Sequence, residues 1–115
     1  MARQKKIPFA PWETRAGDGI ENRFIRLGNT LLYDPAFLQL SAKAKEVYIY
    51  MRIESAGKKE FTLPHSKYIQ FSKKDSFLRA RDELEKAGFI EMVQSNGNLR
   101  KPNVYSFSER WKDSR

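Results

Sequence analysis

Cysteine is missing from the sequence, and histidine occurs once, at position 65. Without thiols the chain has no disulfide, no thiolate zinc site and no cysteine nucleophile. His65 stands apart from any ligand-type motif, so it reads as a helix-start residue or a phosphate contact rather than a metal ligand or general base. A glycine-rich phosphate loop is also missing, and no nucleophile sits beside a base. The neighbouring acids Asp82 and Glu83 would point in different directions on a helix. An enzyme is therefore the weakest class, and no metal, cofactor or small-molecule substrate is expected. No apolar run is long enough for a membrane-spanning helix, and the short basic start lacks the apolar centre of a secretion signal. The expected location is the cytoplasm.

Positive charge is plentiful. Lysine and arginine number 22 against 14 acids, a formal net charge of +8, with a sequence pI near 9.8. Such a balance suits a polyanion, and nucleic acid is the commonest one for a folded intracellular domain. An acidic protein or a membrane surface would suit the same charge. The 115 residues, 40% hydrophobic and 13% aromatic, supply one modest core. Three parts are expected: an extended arm at 1–22, a folded domain at 23–111 and a tail at 112–115. The arm mixes Arg3, Lys5 and Lys6 with Phe9, Trp12, two prolines and two glycines, which cannot bury themselves as a core. It could lie in a DNA minor groove, dock its segment Ile7 to Trp12 on a partner subunit, or remain a mobile terminus.

Within the domain, Phe24 to Leu27 reads as a short strand and Pro35 to Leu40 as a helical turn leading to Ser41. Ser41 is an N-cap residue type, and Ala44, Val47, Tyr48 and Met51 share one face of a helix that runs to about Ser55 and is ended by Gly57. Val47 to Ile53 is also rich in strand-forming residues, but length and the cap favour the helix. Apolar residues on nearly every side of this helix suggest that other elements pack around it, with Tyr48 and Tyr50 in or at the edge of the core. Lys58 to Glu60 reads as a polar turn and Phe61 to Leu63 as a short strand stopped by Pro64. A helix over about His65 to Gln70 follows. Phe71-Ser72 makes the tight turn after it, with Tyr68, Ile69 or Phe71 filling the space between helices.

The most informative stretch is 71–107. Ser72 is the expected N-cap of a helix starting near Lys73, and Asp75 complements the positive end of its dipole. Phe77, Ala80, Leu84 and Ala87 recur at helical spacing on one buried stripe, and Gly88 stops the helix. Phe89 to Val93 and Val104 to Phe107 read as two strands, with Asn96-Gly97 favouring a primed turn between them. Their connection, about ten residues, is long for a hairpin, whose loops usually take about two to five. Helix, glycine stop and long-looped hairpin in that order predict an α+β winged helix-turn-helix: a three-helix core with a small antiparallel sheet.

Off the buried stripe, the first turns of that helix carry Lys73, Lys74, Ser76 and Arg79, and Lys67 lies on the helix before. A helix N-terminus in a major groove offers its dipole to phosphates, and arginine can grip guanine with two parallel hydrogen bonds. Arg79 is the first candidate for a base-edge reader, with Ser76 beside it. Asp75, Glu83 and Glu85 lie at pairing distance from Arg79 and Arg81, and an ordinary solvated face would look the same. What favours binding is the recurrence of charge at Arg100 and Lys101 on the wing, since a groove reader needs one element for bases and another for phosphates.

The chain from about Phe24 to Trp111 resembles the winged helix-turn-helix domains of plasmid replication initiators and related mobile-element proteins of bacteria. The matching features are Leu31-Leu32-Tyr33-Asp34, Leu40-Ser41 with Ala44-Lys45 and Val47-Tyr48, Ser76 to Ala80, Leu84 to Ile90, and Pro102-Asn103-Val104-Tyr105. The resemblance implies double-stranded DNA binding with helix 73–87 in the major groove, in replication or in transcription control. The initiator pattern continues into a second domain, which this chain lacks after Trp111; a stand-alone regulator or a fragment is the expectation. A homodimer is expected from a groove-binding domain of this size, using the arm, the first helix or the tail around Trp111, because coiled-coil heptads are missing. The alternatives are a protein-docking module contacting its partner through the arm and a single-stranded nucleic-acid binder whose aromatics stack on bases.

Overall fold

The structure is a computed structural model that describes residues 25–96 and 101–114. Described residues form an α+β arrangement of five α-helices and one three-stranded antiparallel sheet. In chain order these are α1 (Asn29–Tyr33), α2 (Pro35–Leu38), α3 (Ala42–Ser55), β1 (Glu60–Thr62), α4 (His65–Tyr68), α5 (Lys74–Lys86), β2 (Ile90–Gln94) and β3 (Val104–Phe107), then a 3-10 helix over Arg110–Ser114.

Local chemistry accounts for most of these boundaries. Asp34 caps α2 by accepting from the Ala36 amide at 3.0 Å, with Pro35 in the first turn where its missing N–H costs nothing. Ser41 caps α3 as expected, its hydroxyl accepting from the Ala44 amide at 3.1 Å. The far end of α3 differs from expectation: Ala56, not Gly57, first enters the left-handed region, at φ +52°, and Gly57 follows at φ +84°. Ala44, Val47 and Met51 have no exposed surface at all, which settles the helix against the competing strand.

Two further expectations are corrected. Residues 25–27 do not form a strand. The Arg52 guanidinium on α3 donates to the Arg26 carbonyl at 2.7 Å, and both edges of β3 are occupied by β1 and β2. Phe24 lies outside the described residues. Ser72 does not cap α5: it is buried, its hydroxyl donates to the Lys73 carbonyl at 2.9 Å, and the helix starts one residue later with Lys73 at the cap position and no side-chain cap bond. The Ser72 amide is already committed to the Tyr68 carbonyl at 2.9 Å, so the residue belongs to the turn.

The end of α5 is a complete Schellman motif. The Phe89 amide donates to the Leu84 carbonyl at 3.0 Å and the Gly88 amide to Glu85 at 3.1 Å, with Gly88 at φ +89°. Leu84 and Phe89, the pair that makes the accompanying apolar contact, are both fully buried. β3 pairs with β1 (Phe61 opposite Tyr105) and with β2 (Met92 opposite Tyr105), and a bulge between Met92 and Gln94 leaves Val93 half exposed. The core is strongly aromatic. Phe37, Tyr48 and Phe89 meet edge to face at 5.7–5.8 Å, and Tyr68 stacks on Phe77 at 4.0 Å, joining α4 to α5. Of the three residues proposed to fill that turn, Tyr68 does so, Phe71 is partly buried and Ile69 is exposed.

Trp111 closes this core from the C-terminal side. Its ring lies parallel to Phe89 with centroids 5.5 Å apart, and its amide donates to the Gly88 carbonyl at 3.2 Å. It is 7% exposed, so the Trp111 ring itself belongs to the core. No helix among the described residues is long and apolar enough to cross a membrane.

Candidate nucleic-acid interface

The side of α5 opposite Phe77, Ala80 and Leu84 faces solvent. Lys73 at the cap position of α5, Lys74 and Arg79 are exposed, and Ser76 is half-buried. Ser76 and Arg79 line a shallow groove of about 290 Å³ with Ser41 and Lys43 of the α3 start and Glu83. Lys67 on α4 is exposed, with a long contact of 4.0 Å to Glu54. Lys101 is exposed just before Pro102 and β3. Arg3, Lys5, Lys6 and Arg100, like Phe9, Trp12 and Gly97, lie outside the described residues.

The acids near Arg79 behave differently from what spacing suggested. Glu83 reaches across to α3, where its two carboxylate oxygens accept from the Ser41 amide and hydroxyl, both at 2.7 Å. Glu85 reaches the sheet and accepts from the Met92 amide at 3.0 Å. Asp82 pairs with Arg81 at 3.0 Å. None of these neutralises Arg79, and among the described residues Lys73, Lys74 and Arg79 make no ion pair. Spacing along one helix could not reveal this, because Glu83 and Ser41 stand 42 residues apart in the chain.

The same contacts fix the orientation of α5. Glu83 ties it to the capped start of α3, and Glu85 ties it to the outer edge of β2. Lys43, paired with Glu46 at 2.7 Å, also donates to the Phe71 carbonyl at 3.3 Å and so pins the turn between α4 and α5. Arg110 donates to the carbonyls of Glu85 and Ile90, at 3.1 and 3.5 Å, from the C-terminal side. Behind the helix, burial works against the charge of Arg81, but hydrogen bonds to Tyr105 and Asp82 outweigh it and raise its pKa further above the ordinary arginine value. Burial also raises Tyr68, with Tyr105 adding to the effect and Arg81 opposing it.

At the base of the β2–β3 connection, the Asn96 amide donates to Asn103 Oδ1 at 2.7 Å and its side-chain nitrogen to the Pro102 carbonyl at 2.9 Å. Asn96 is therefore a buried clasp across the two strand ends. The turn expected at Asn96-Gly97 lies partly outside the described residues. Tyr48 is core, whereas Tyr50 is 38% exposed and stacks on Phe71 at 4.0 Å. His65 is exposed at the first position of α4, with its ring edge on Tyr68. No group of metal-ligating side chains occurs among the described residues.

No family model, curated protein or solved structure matches the chain.

Proposed function

We propose that this protein binds double-stranded DNA as a winged helix-turn-helix domain. In this reading α3, α4 and α5 are its three helices, α5 enters the major groove and the β2–β3 connection is the wing. The order of α3, β1, α4, α5, β2 and β3, with β1 and β2 flanking β3, is compatible with that fold. The observation that carries the reading is the state of charge at the start of α5. Lys73, Lys74 and Arg79 are exposed and make no ion pair among the described residues, while Glu83, four residues from Arg79 and able to pair with it, is spent on holding the helix to Ser41. Lysines and arginines on phosphates would supply most of the affinity, with Arg79 and Ser76 setting sequence preference and Arg100 and Lys101 anchoring the wing.

The family resemblance supports a role in plasmid or mobile-element replication initiation or in transcription control; a groove-binding domain of this size points to a homodimer on paired half-sites, and the basic start without an apolar signal centre to the cytoplasm. Nuclear magnetic resonance titration with a random duplex locates the surface. Amides from Lys73 to Arg79 and around Lys101 are expected to move first, and shifts confined to the sheet or to α2 would contradict the proposal. In the bound state Arg79→Ala is expected to cost roughly 1–3 kcal/mol at the preferred site and to relax specificity. Equal losses on preferred and random DNA would remove Arg79 from base reading.

A protein-docking reading has one observation of its own. Tyr50 and Ile53 on α3 and Ile69 after α4 are 38%, 46% and 47% exposed, and Tyr50 stacks against Phe71. Association that survives high salt, with no affinity for DNA, would favour it.

A further inference from the structure

On α5, each carboxylate but one has a structural partner. Glu83 holds Ser41, Glu85 holds Met92 and Asp82 holds Arg81. Asp75 is exposed and makes no hydrogen bond or ion pair among the described residues. It stands one helical turn before Arg79, so the two side chains lie one above the other on the face opposite Phe77, Ala80 and Leu84. An Asp–Arg pair at this spacing would be free to form, yet both groups are left open to the same side.

A negative charge on a DNA-facing surface opposes phosphate binding, and in a bound complex it is best accommodated where it accepts from a base. In the major groove the group that a carboxylate accepts from is the exocyclic amine of cytosine, as the arginine fork fits the O6 and N7 of guanine. Resting on the DNA-binding reading above, we infer that Asp75 is a second base-reading residue, which selects a cytosine next to the guanine read by Arg79 and rejects sequences that place an acceptor opposite it. The bound site is then rich in G·C where α5 enters the groove. Asp75 also favours the N-terminal end of the α5 dipole, a role that would leave sequence preference untouched.

The two roles separate in one experiment. Randomised duplexes are selected with the wild-type chain and with Asp75→Ala, Asp75→Asn and Arg79→Ala, and the bound pools are sequenced. Thermal unfolding of each variant is recorded in parallel to verify that it is folded. The wild-type pool is expected to hold a cytosine that Asp75→Ala loses, with discrimination at that position falling about fivefold or more. Affinity of Asp75→Ala for random duplex is expected to rise, because a repulsive charge is removed. Asp75→Asn is expected to exchange cytosine for adenine, which an amide grips at N6 and N7. Identical pools for the wild type and folded Asp75 variants, alongside an altered pool for Arg79→Ala, would overturn the assignment of Asp75 and leave DNA binding standing. A wild-type chain that retains no duplex would overturn both.

Discussion

A Cβ at position 88 would lie 2.7 Å from the Trp111 amide nitrogen and 2.9 Å from the Arg110 carbonyl carbon, and the backbone there has φ +89°. Glycine is thus required twice, for the left-handed turn that ends α5 and for the close approach of the C-terminal segment. Gly88→Ala is expected to destabilise the fold by at least about 2 kcal/mol in urea unfolding; a change within about 0.5 kcal/mol would show that the latch at Trp111 yields easily. Tyr68 gives a second residue-scale test. Its pKa is raised in the folded chain, so the stability it contributes is present below the ordinary tyrosine range and is lost as pH rises through the folded value. Unfolding midpoints are expected to fall above about pH 10, and Tyr68→Phe is expected to lose less over the same rise. An identical alkaline decline in both proteins would contradict this.

Among the elements, α5 was the most legible, because a stripe of Phe77, Ala80, Leu84 and Ala87 followed by glycine is written in local spacing. α3 was legible from Ser41 and its buried face. The short α1 was not foreseen, since five residues with no side-chain cap carry almost no signal of their own. Of the strand expected at Phe24 to Leu27, residues 25–27 are not a strand: residue preference favours one there, but the Arg26 carbonyl is taken by the Arg52 guanidinium of α3. Ser72 failed as a cap because the turn claimed it first. The candidate site was read partly: the sequence pointed to Lys73, Lys74, Ser76 and Arg79, while the long-range commitments of Glu83 and Glu85 depend on tertiary contacts. Ser41 now has a double role, capping α3 and receiving Glu83. Ser41→Ala is expected to cost roughly 1 kcal/mol or more, measured by chemical denaturation. Combined with Glu83→Gln, the total loss is expected to be less than the sum of the two single losses, since the two residues share one interaction; full additivity would contradict the coupling.

At the scale of the whole molecule, the net charge of +8 acts through its placement. Glu83 and Glu85 are drawn into holding α3, α5 and β2 together, and Lys73, Lys74 and Arg79 near the start of α5 make no ion pair among the described residues. On the proposed DNA-binding function, affinity is expected to follow counterion release, with log affinity falling by about 0.9 per neutralised phosphate for each unit of log salt. The measurement that tests the account most directly is fluorescence-polarisation binding to random duplex across a salt series, with an Arg79→Ala, Arg100→Ala, Lys101→Ala variant in parallel. Binding of micromolar order that weakens steeply with salt is expected for the wild type. The variant is expected to bind weakly, with its salt slope reduced by about 2 through loss of the two wing contacts. No wild-type binding at low salt, or binding equally strong in the variant, would contradict the account.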